Sequence, residues 1–199
     1  TPLHVLRSWK GDDGNNWFTG PYGDTTGDTE KTVWSTNSYC VGAVADESTG
    51  KFIFTMRNSG NSDLRAQIYQ VESDGTFHTS VQNASIYAGS IDGVDSCYVA
   101  NAQKSVIYYR KNSNAKCYAR TITTSSSDFS YTLGTEVVVA DYNCAGNTTV
   151  GYIDNTNQVV FTYKNNSDYY TYAKVGTVES NGSITLGSEV SIFTTNGES

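Results

Sequence analysis

A repeat of about 53 residues runs through most of the chain, and such a repeat constrains the fold more than any other sequence feature. In each copy an apolar run ends at a basic residue followed by Asn, and a polar stretch then leads to a segment with a central alanine. The basic-Asn pairs are Arg57-Asn58, Lys111-Asn112 and Lys164-Asn165, and the alanines are Ala66, Ala119 and Ala173. Because these independent anchors agree on one spacing, the chain contains three copies of one structural unit.

Each copy divides into four strand-like segments separated by turn signals. The first is short, the second is the apolar run, the third centres on the alanine, and the fourth alternates in polarity, as in 190–193. The predicted first strands are 43–46, 98–101 and 150–153. The third strand leads into Asp74-Gly75 or Asn181-Gly182, which is a strong short hairpin signal. Four antiparallel strands in about 50 residues is the period of a propeller blade.

The predicted fold is therefore all-β, with propeller-like antiparallel β repeats in three clear four-stranded units plus a partial one; a β-sandwich is the alternative. The predicted organisation is a single domain, 1–199, with a partial repeat at 1–39 and repeats at 40–95, 96–147 and 148–199. In the partial copy, Val5–Lys10 and Trp17–Thr19 resemble the second and third strands. Its innermost strand is missing, so closure within one chain and completion by another chain or segment are both open.

The copies between Val44 and Thr195 match a known repeat pattern, most clearly in the third copy. The matching segments there are Tyr152-Ile153-Asp154, Val159–Lys164, Val175–Val178 and Ser183–Gly187. This pattern resembles β-propeller-like tandem-repeat proteins of aquatic bacteria and their phages. The resemblance implies a propeller-like fold and a surface or virion-associated role, and it carries no catalytic residues.

The charge balance excludes several classes of partner. The chain has 13 Lys and Arg against 20 Asp and Glu, for a net charge of −7. Binding to nucleic acid or to an anionic membrane depends on basic clusters, so we expect neither. No apolar run approaches the roughly 20 residues that span a bilayer, so no membrane insertion is predicted. The chain begins at Thr1, which suggests a processed chain or part of a longer one.

Tyrosine is unusually frequent, with 15 Tyr against 7 Phe and 3 Trp. The predicted binding residues lie around the basic-Asn turns and are Tyr109, Asn112, Tyr163, Asn165 and Tyr170. Aromatic faces stack on sugar rings and amides bond to hydroxyl groups, so this composition suits glycans. It suits a protein contact surface equally well. The structural alternative is that the tyrosines fill the packing between units.

Catalytic groups are sparse, and the prediction is that the chain is not an enzyme and has no catalytic residues. His4 and His78 are the only histidines. Asp46 and Asp154 occupy matching repeat positions, where they either line a channel or cap the turns into the second strands. A propeller glycoside hydrolase fragment is therefore the lowest-ranked alternative.

No cofactor is predicted, with calcium as a weak alternative. Asp12, Asp13 and Asn15 place oxygen ligands on a tight Gly turn, although they do not meet the EF-hand pattern. The same residue types are ordinary in turns.

Four cysteines, at positions 40, 97, 117 and 144, allow three pairings. None forms a C-x-x-C pair, which argues against zinc. Free buried thiols and disulfides both fit the pattern, and Cys40 with Cys144 is the preferred pair if any disulfide exists.

These features favour a non-enzymatic extracellular or virion-surface protein with a structural and adhesive role, such as a phage knob, decoration or fibre-tip protein. The alternative is a lectin-like carbohydrate-binding module of a secreted protein. The expected partners are proteins of a virion or surface assembly, or glycans, and a homo-oligomer is consistent with the incomplete fourth unit.

Overall fold

The computed structural model describes residues 42–58, 60–70, 84–146 and 148–193, together with the backbone of 8–10, 16–18, 38–41 and 82–83. Fifteen strands and no helix occur in these residues, so the all-β prediction is confirmed. Accordingly, no helix in this part of the chain could cross a membrane. The strands are β1 Ser8–Lys10, β2 Asn16–Phe18, β3 Ser38–Asp46, β4 Lys51–Asn58, β5 Leu64–Gln70, β6 Gln82–Tyr87, β7 Ile91–Val99, β8 Lys104–Lys111, β9 Cys117–Thr124, β10 Tyr131–Leu133, β11 Val137–Ala140, β12 Thr149–Ile153, β13 Gln158–Lys164, β14 Thr171–Val178 and β15 Ile184–Phe193.

Each repeat forms one antiparallel sheet. Unit 1 has the order β3-β4-β5-β6 and unit 3 the order β12-β13-β14-β15. Unit 2 has the order β7-β8-β9-β10, and β11 pairs with β9 beyond β10, so its fourth strand is split in two. The N-terminal strands β1 and β2 pair with each other through Trp9 and Trp17, as expected for a second and a third strand. Consecutive antiparallel strands joined by short turns are the order that the four-strand pattern predicts.

The turn after each second strand gives the structural register of the repeat. In all three units, the backbone N–H of the residue that opens this turn donates to the carbonyl of the residue that closes it, over 3.0 Å. The donor–acceptor pairs are Asn58 to Asp63, Lys111 to Lys116, and Asn165 to Tyr170. Arg110-Lys111, and not Lys111-Asn112, is therefore the counterpart of Arg57-Asn58, and the sequence alignment of the second copy was wrong by one residue. The alanine anchors Ala66, Ala119 and Ala173 are correct in this register.

The first strands of units 1 and 2 are longer than the sequence indicates. They begin at Ser38 and Ile91, not at 43 and 98. Both contain a register shift, and in β7 this shift falls at Gly93, whose φ is 76°. A bulge interrupts the alternation of side chains between the two faces of a strand, so the sequence pattern does not reveal the first half of that strand.

Successive units stack in the same orientation, with the same side of each sheet facing the next unit. We call one side of each sheet the front face and the other the back face. The front face is formed by Ile53, Leu64, Ala66 and Ile68 in unit 1 and by Val106, Tyr108, Cys117 and Ala119 in unit 2. The back face is formed by Ile107, Tyr109, Tyr118 and Ile122 in unit 2 and by Val159, Phe161, Tyr163 and Val178 in unit 3. The front face of unit 1 packs on the back face of unit 2, and the front face of unit 2 packs on the back face of unit 3.

The first strands lie side by side along the stack. β7 contacts both β3 and β12. The backbone N–H of Val150 in β12 donates to the Asp95 carboxylate of β7 over 2.9 Å. The described strands form four sheets, one of which is the β1-β2 pair, and no closed ring is part of the described structure.

Candidate interaction surface

A cluster of tyrosines fills the junction between units 2 and 3. The Tyr163 hydroxyl donates to a Glu189 carboxylate oxygen over 2.6 Å, and the Tyr142 hydroxyl donates to the same oxygen over 2.8 Å. The Tyr163 and Tyr172 rings stack with centroids 6.3 Å apart. Lys174 lies 3.6 Å from Glu189 and neutralises its charge. The Glu189 carboxylate therefore holds tyrosines from both sides of the junction.

The junction between units 1 and 2 repeats this arrangement. The Tyr109 hydroxyl donates to Glu136, and Lys111 forms an ion pair with Glu136 at 2.5 Å. The Tyr87 ring of unit 1 stacks on the Tyr109 ring at 6.1 Å. The Lys111 ammonium lies 3.9 Å from the centroid of Tyr118, a cation–π contact. The same chemistry at two junctions shows that these tyrosines connect successive units.

Two of the predicted binding residues belong to these clusters. Tyr109 is fully buried and Tyr163 is 1% exposed. Burial, followed by the hydrogen bond to the neighbouring glutamate, raises the pKa of both hydroxyls above the usual value of tyrosine. A buried ring offers no face to a ligand, so these two tyrosines contribute packing.

The other predicted binding residues lie on the turns. Asn112 is exposed, and its amide donates to the Ser90 hydroxyl over 2.9 Å. Asn165 and Tyr170 lie together on the corresponding turn of unit 3, where both bond to Asp168. Their role in binding stays a prediction.

Tyr169 is the most exposed tyrosine of the described residues, although it is not among the predicted binding residues. Its side chain is 56% exposed and its φ is 63°. The ammonium of Lys164 lies 5.4 Å from its ring centroid. The left-handed conformation that closes the turn directs this ring outward, and no sequence pattern distinguishes it from the neighbouring Tyr170.

Asp46 and Asp154 both cap turns. Asp46 is buried and accepts bonds from the Ser48 backbone at 3.1 Å and from the Thr124 hydroxyl of unit 2 at 2.6 Å. Asp154 is exposed and accepts a bond from the Asn155 backbone at 2.9 Å. These contacts agree with the turn-capping interpretation of both carboxylates.

The calcium candidates Asp12, Asp13 and Asn15 lie outside the described residues. Within the part of the chain that the structure describes, no group of three His, Cys, Asp or Glu side chains could hold a metal ion.

The front face of unit 3 differs from the front faces of units 1 and 2. It carries an apolar patch on β14 and β15, which we call the open face. Its members and their exposed fractions are Val175 (37%), Val190 (58%), Ile192 (46%) and Phe193 (64%). In unit 2 the front-face residues Val106 and Ala119 are fully buried. Since β15 is also the last strand of its sheet, this unit presents both an apolar face and a strand edge.

No protein-family model matches this chain, and no curated protein or solved structure matches it either. The molecule is an all-β repeat protein made of stacked antiparallel sheets. A fold of this kind does not specify an activity, so its function has to be argued from the surfaces that the stacked units present.

Proposed function

We propose that the chain is a non-enzymatic structural and adhesion module of an extracellular or virion surface, of the knob, decoration or fibre-tip type, with a propeller-like fold. The observation that carries this proposal is the open face of unit 3. A structural module needs a surface that joins it to its assembly, and large exposed apolar patches mark such surfaces. The net charge of −7 and the wealth of hydroxyl and amide side chains suit the rest of the molecule to water.

The occupant of the open face in this proposal is a β-repeat unit of a second copy of the chain. The argument is continuity with the internal junctions, where each of the other two front faces is covered by the back face of another unit. The open face is apolar like the front faces of units 1 and 2, and Val190 lies directly across from Ala173, the counterpart of the front-face residues Ala66 and Ala119. A contact between two different faces of identical chains is head-to-tail, so it builds a ring or a fibre. Both forms are suited to a surface assembly.

The experiment compares two valine-to-aspartate variants by sedimentation equilibrium. The wild-type chain should self-associate with rising concentration, and Val190→Asp should remain monomeric, because a carboxylate in a dry apolar contact is strongly unfavourable. Val138→Asp is the matched control, since Val138 is 42% exposed on unit 2 and adds the same charge away from the open face. Equal behaviour of the two variants, or a wild-type chain that stays monomeric at every concentration, would contradict the proposal.

The lectin-like alternative is favoured by one observation, the exposed ring of Tyr169 on the turn in which its backbone N–H donates to the Asn165 carbonyl over 2.9 Å. An outward aromatic face next to hydrogen-bonding side chains is suited to a sugar ring. On a glycan array, Tyr169→Ala should weaken binding to any recognised sugar about tenfold, equivalent to ~1.4 kcal/mol. Tyr131→Ala is the control, because Tyr131 is half-buried on β10 of another unit. Binding that survives Tyr169→Ala unchanged would exclude this turn as the sugar site.

A further inference from the structure

Two cysteines meet in the core at the junction of units 2 and 3. Cys117 begins β9, and Cys144 lies in the segment that connects unit 2 to unit 3. Both are fully buried in the same apolar cluster, and both are free thiols in this structure. The Cys144 thiol donates to the Tyr142 carbonyl over 3.4 Å, and the interaction of the two thiols lowers the pKa of Cys117 and raises that of Cys144. The sequence-based preference for Cys40 with Cys144 stays a prediction, because the side chain of Cys40 lies outside the described residues.

The backbone around the two thiols is fixed by several independent contacts. The N–H of Cys144 donates to the carbonyl of Ala115 over 2.8 Å, two residues before Cys117. The Arg110 side chain donates to the carbonyl of Cys144 over 2.6 Å, and Arg110 is the cross-strand partner of Cys117. The backbone of Cys144 also forms an isolated antiparallel β-bridge with that of Asn165 in unit 3. The two cysteines are thus held together by the turn of unit 2 and by the neighbouring unit.

We propose that Cys117 and Cys144 form a disulfide in oxidising surroundings and that this bond locks the connection between units 2 and 3 onto the third strand of unit 2. The bond closes a loop of about 27 residues, which restricts the unfolded chain. A low-molecular-weight disulfide such as oxidised glutathione is the oxidant. One cysteine thiolate attacks it and releases one thiolate, which leaves a mixed disulfide. The second cysteine thiolate then displaces the other small thiol. The two cysteines together lose two protons and two electrons, and the small disulfide is reduced to two thiols.

The lowered pKa of Cys117 favours it as the first attacking thiol. The hydrogen bond from Cys144 is the main cause that lowers the pKa of Cys117, and it acts against the effect of burial. The same hydrogen bond is the main cause that raises the pKa of Cys144. Cys97 is different, because burial and the nearby Asp95 carboxylate raise its pKa to about 12. A thiol of that kind is a poor nucleophile near neutral pH, so Cys97 stays reduced.

The test is peptide mapping of the wild-type chain refolded with oxidised glutathione and then unfolded in an alkylating agent. We expect a Cys117–Cys144 linked peptide that has lost two hydrogens, with Cys97 alkylated. A map in which Cys117 and Cys144 are both alkylated, or in which either is linked to Cys40, would overturn the proposal. Because the map uses the wild-type chain, it does not depend on whether a variant folds.

Melting temperatures give a second measurement. Reduction with dithiothreitol should lower the melting temperature of the oxidised wild-type chain by roughly 5 °C or more. Cys117→Ala and Cys144→Ala should each abolish this difference, whereas Cys97→Ala should retain it as the matched control. A difference that persists in Cys144→Ala would contradict the proposed bond. This outcome is independent of the self-association test of the open face.

Discussion

Gly93→Ala should destabilise the fold by about 3–5 kcal/mol, combining a left-handed backbone penalty with overpacking. Gly93 has a φ of 76°, a conformation that a residue with a Cβ atom adopts only at a cost. A Cβ atom here would also overlap the carbonyl oxygen of Gly146, which lies in the connection to unit 3. That neighbour is backbone and cannot rotate away. The free energy of unfolding in urea measures the effect.

Gly50→Ala is the matched control for this substitution. Gly50 has a φ of 69°, so its backbone penalty is similar, but no atom lies within 4 Å of the added Cβ. Its expected cost is therefore only about 1–2 kcal/mol. The difference between the two variants isolates the close approach of β7 to the connecting segment. Equal losses in both variants would show that this approach is not tight in solution.

The strands could be predicted from sequence where the pattern is local. The apolar runs of β4, β8 and β13 and the alanine-centred strands β5, β9 and β14 occur as expected, because spacing and turn residues define them. Asn181-Gly182 forms the predicted turn into β15, with Gly182 at a φ of 86°. The Asp74-Gly75 turn lies outside the described residues.

The role of the tyrosines could not be predicted from sequence. Tyr109 and Tyr163 stand in the same kind of segment as Tyr169 and Tyr170, and an aromatic ring with a hydroxyl suits a surface and a core equally. What separates them is a glutamate partner that is distant in sequence, either Glu136 just before β11 or Glu189 on β15. Both faces of unit 2 are buried by neighbouring units, so alternation of polar and apolar residues does not mark an outer face there.

The one-residue error at Lys111-Asn112 has a similar cause. Arg110 and Lys111 are both basic, so the motif fits in two registers. The hydrogen bond of the turn decides between them, because its donor is the N–H of Lys111, just as the donor in unit 1 is the N–H of Asn58. Only the correct register places Ala119 opposite Tyr108 and makes the front faces of the units equivalent.

The stability of the protein should fall steeply as the pH rises above about 10, which is the pKa of tyrosine in an unfolded chain. Tyr108 and Tyr109 are fully buried, and burial is the main cause that raises the pKa of each hydroxyl well above that value. Below pH ~10 both states keep the proton, so the full stability is present. Above it only the unfolded chain releases the proton, and each tyrosine removes ~1.4 kcal/mol per pH unit.

The contribution of a single tyrosine can be isolated with Tyr108→Phe. This variant loses the hydrogen bond from the Tyr108 hydroxyl to the Thr162 carbonyl, which spans 3.3 Å and contributes about 1 kcal/mol near neutral pH. Its stability should then decline more slowly above pH ~10, by ~1.4 kcal/mol per pH unit relative to the wild-type chain. Tyr169→Phe is the matched control, since it removes a hydroxyl group from an exposed ring.

Urea unfolding at a series of alkaline pH values measures the slopes of the wild-type chain and of both variants. A slope for Tyr108→Phe equal to that of the wild-type chain would mean that Tyr108 ionises as readily in the folded state as in the unfolded chain, and that the junction of units 2 and 3 admits water.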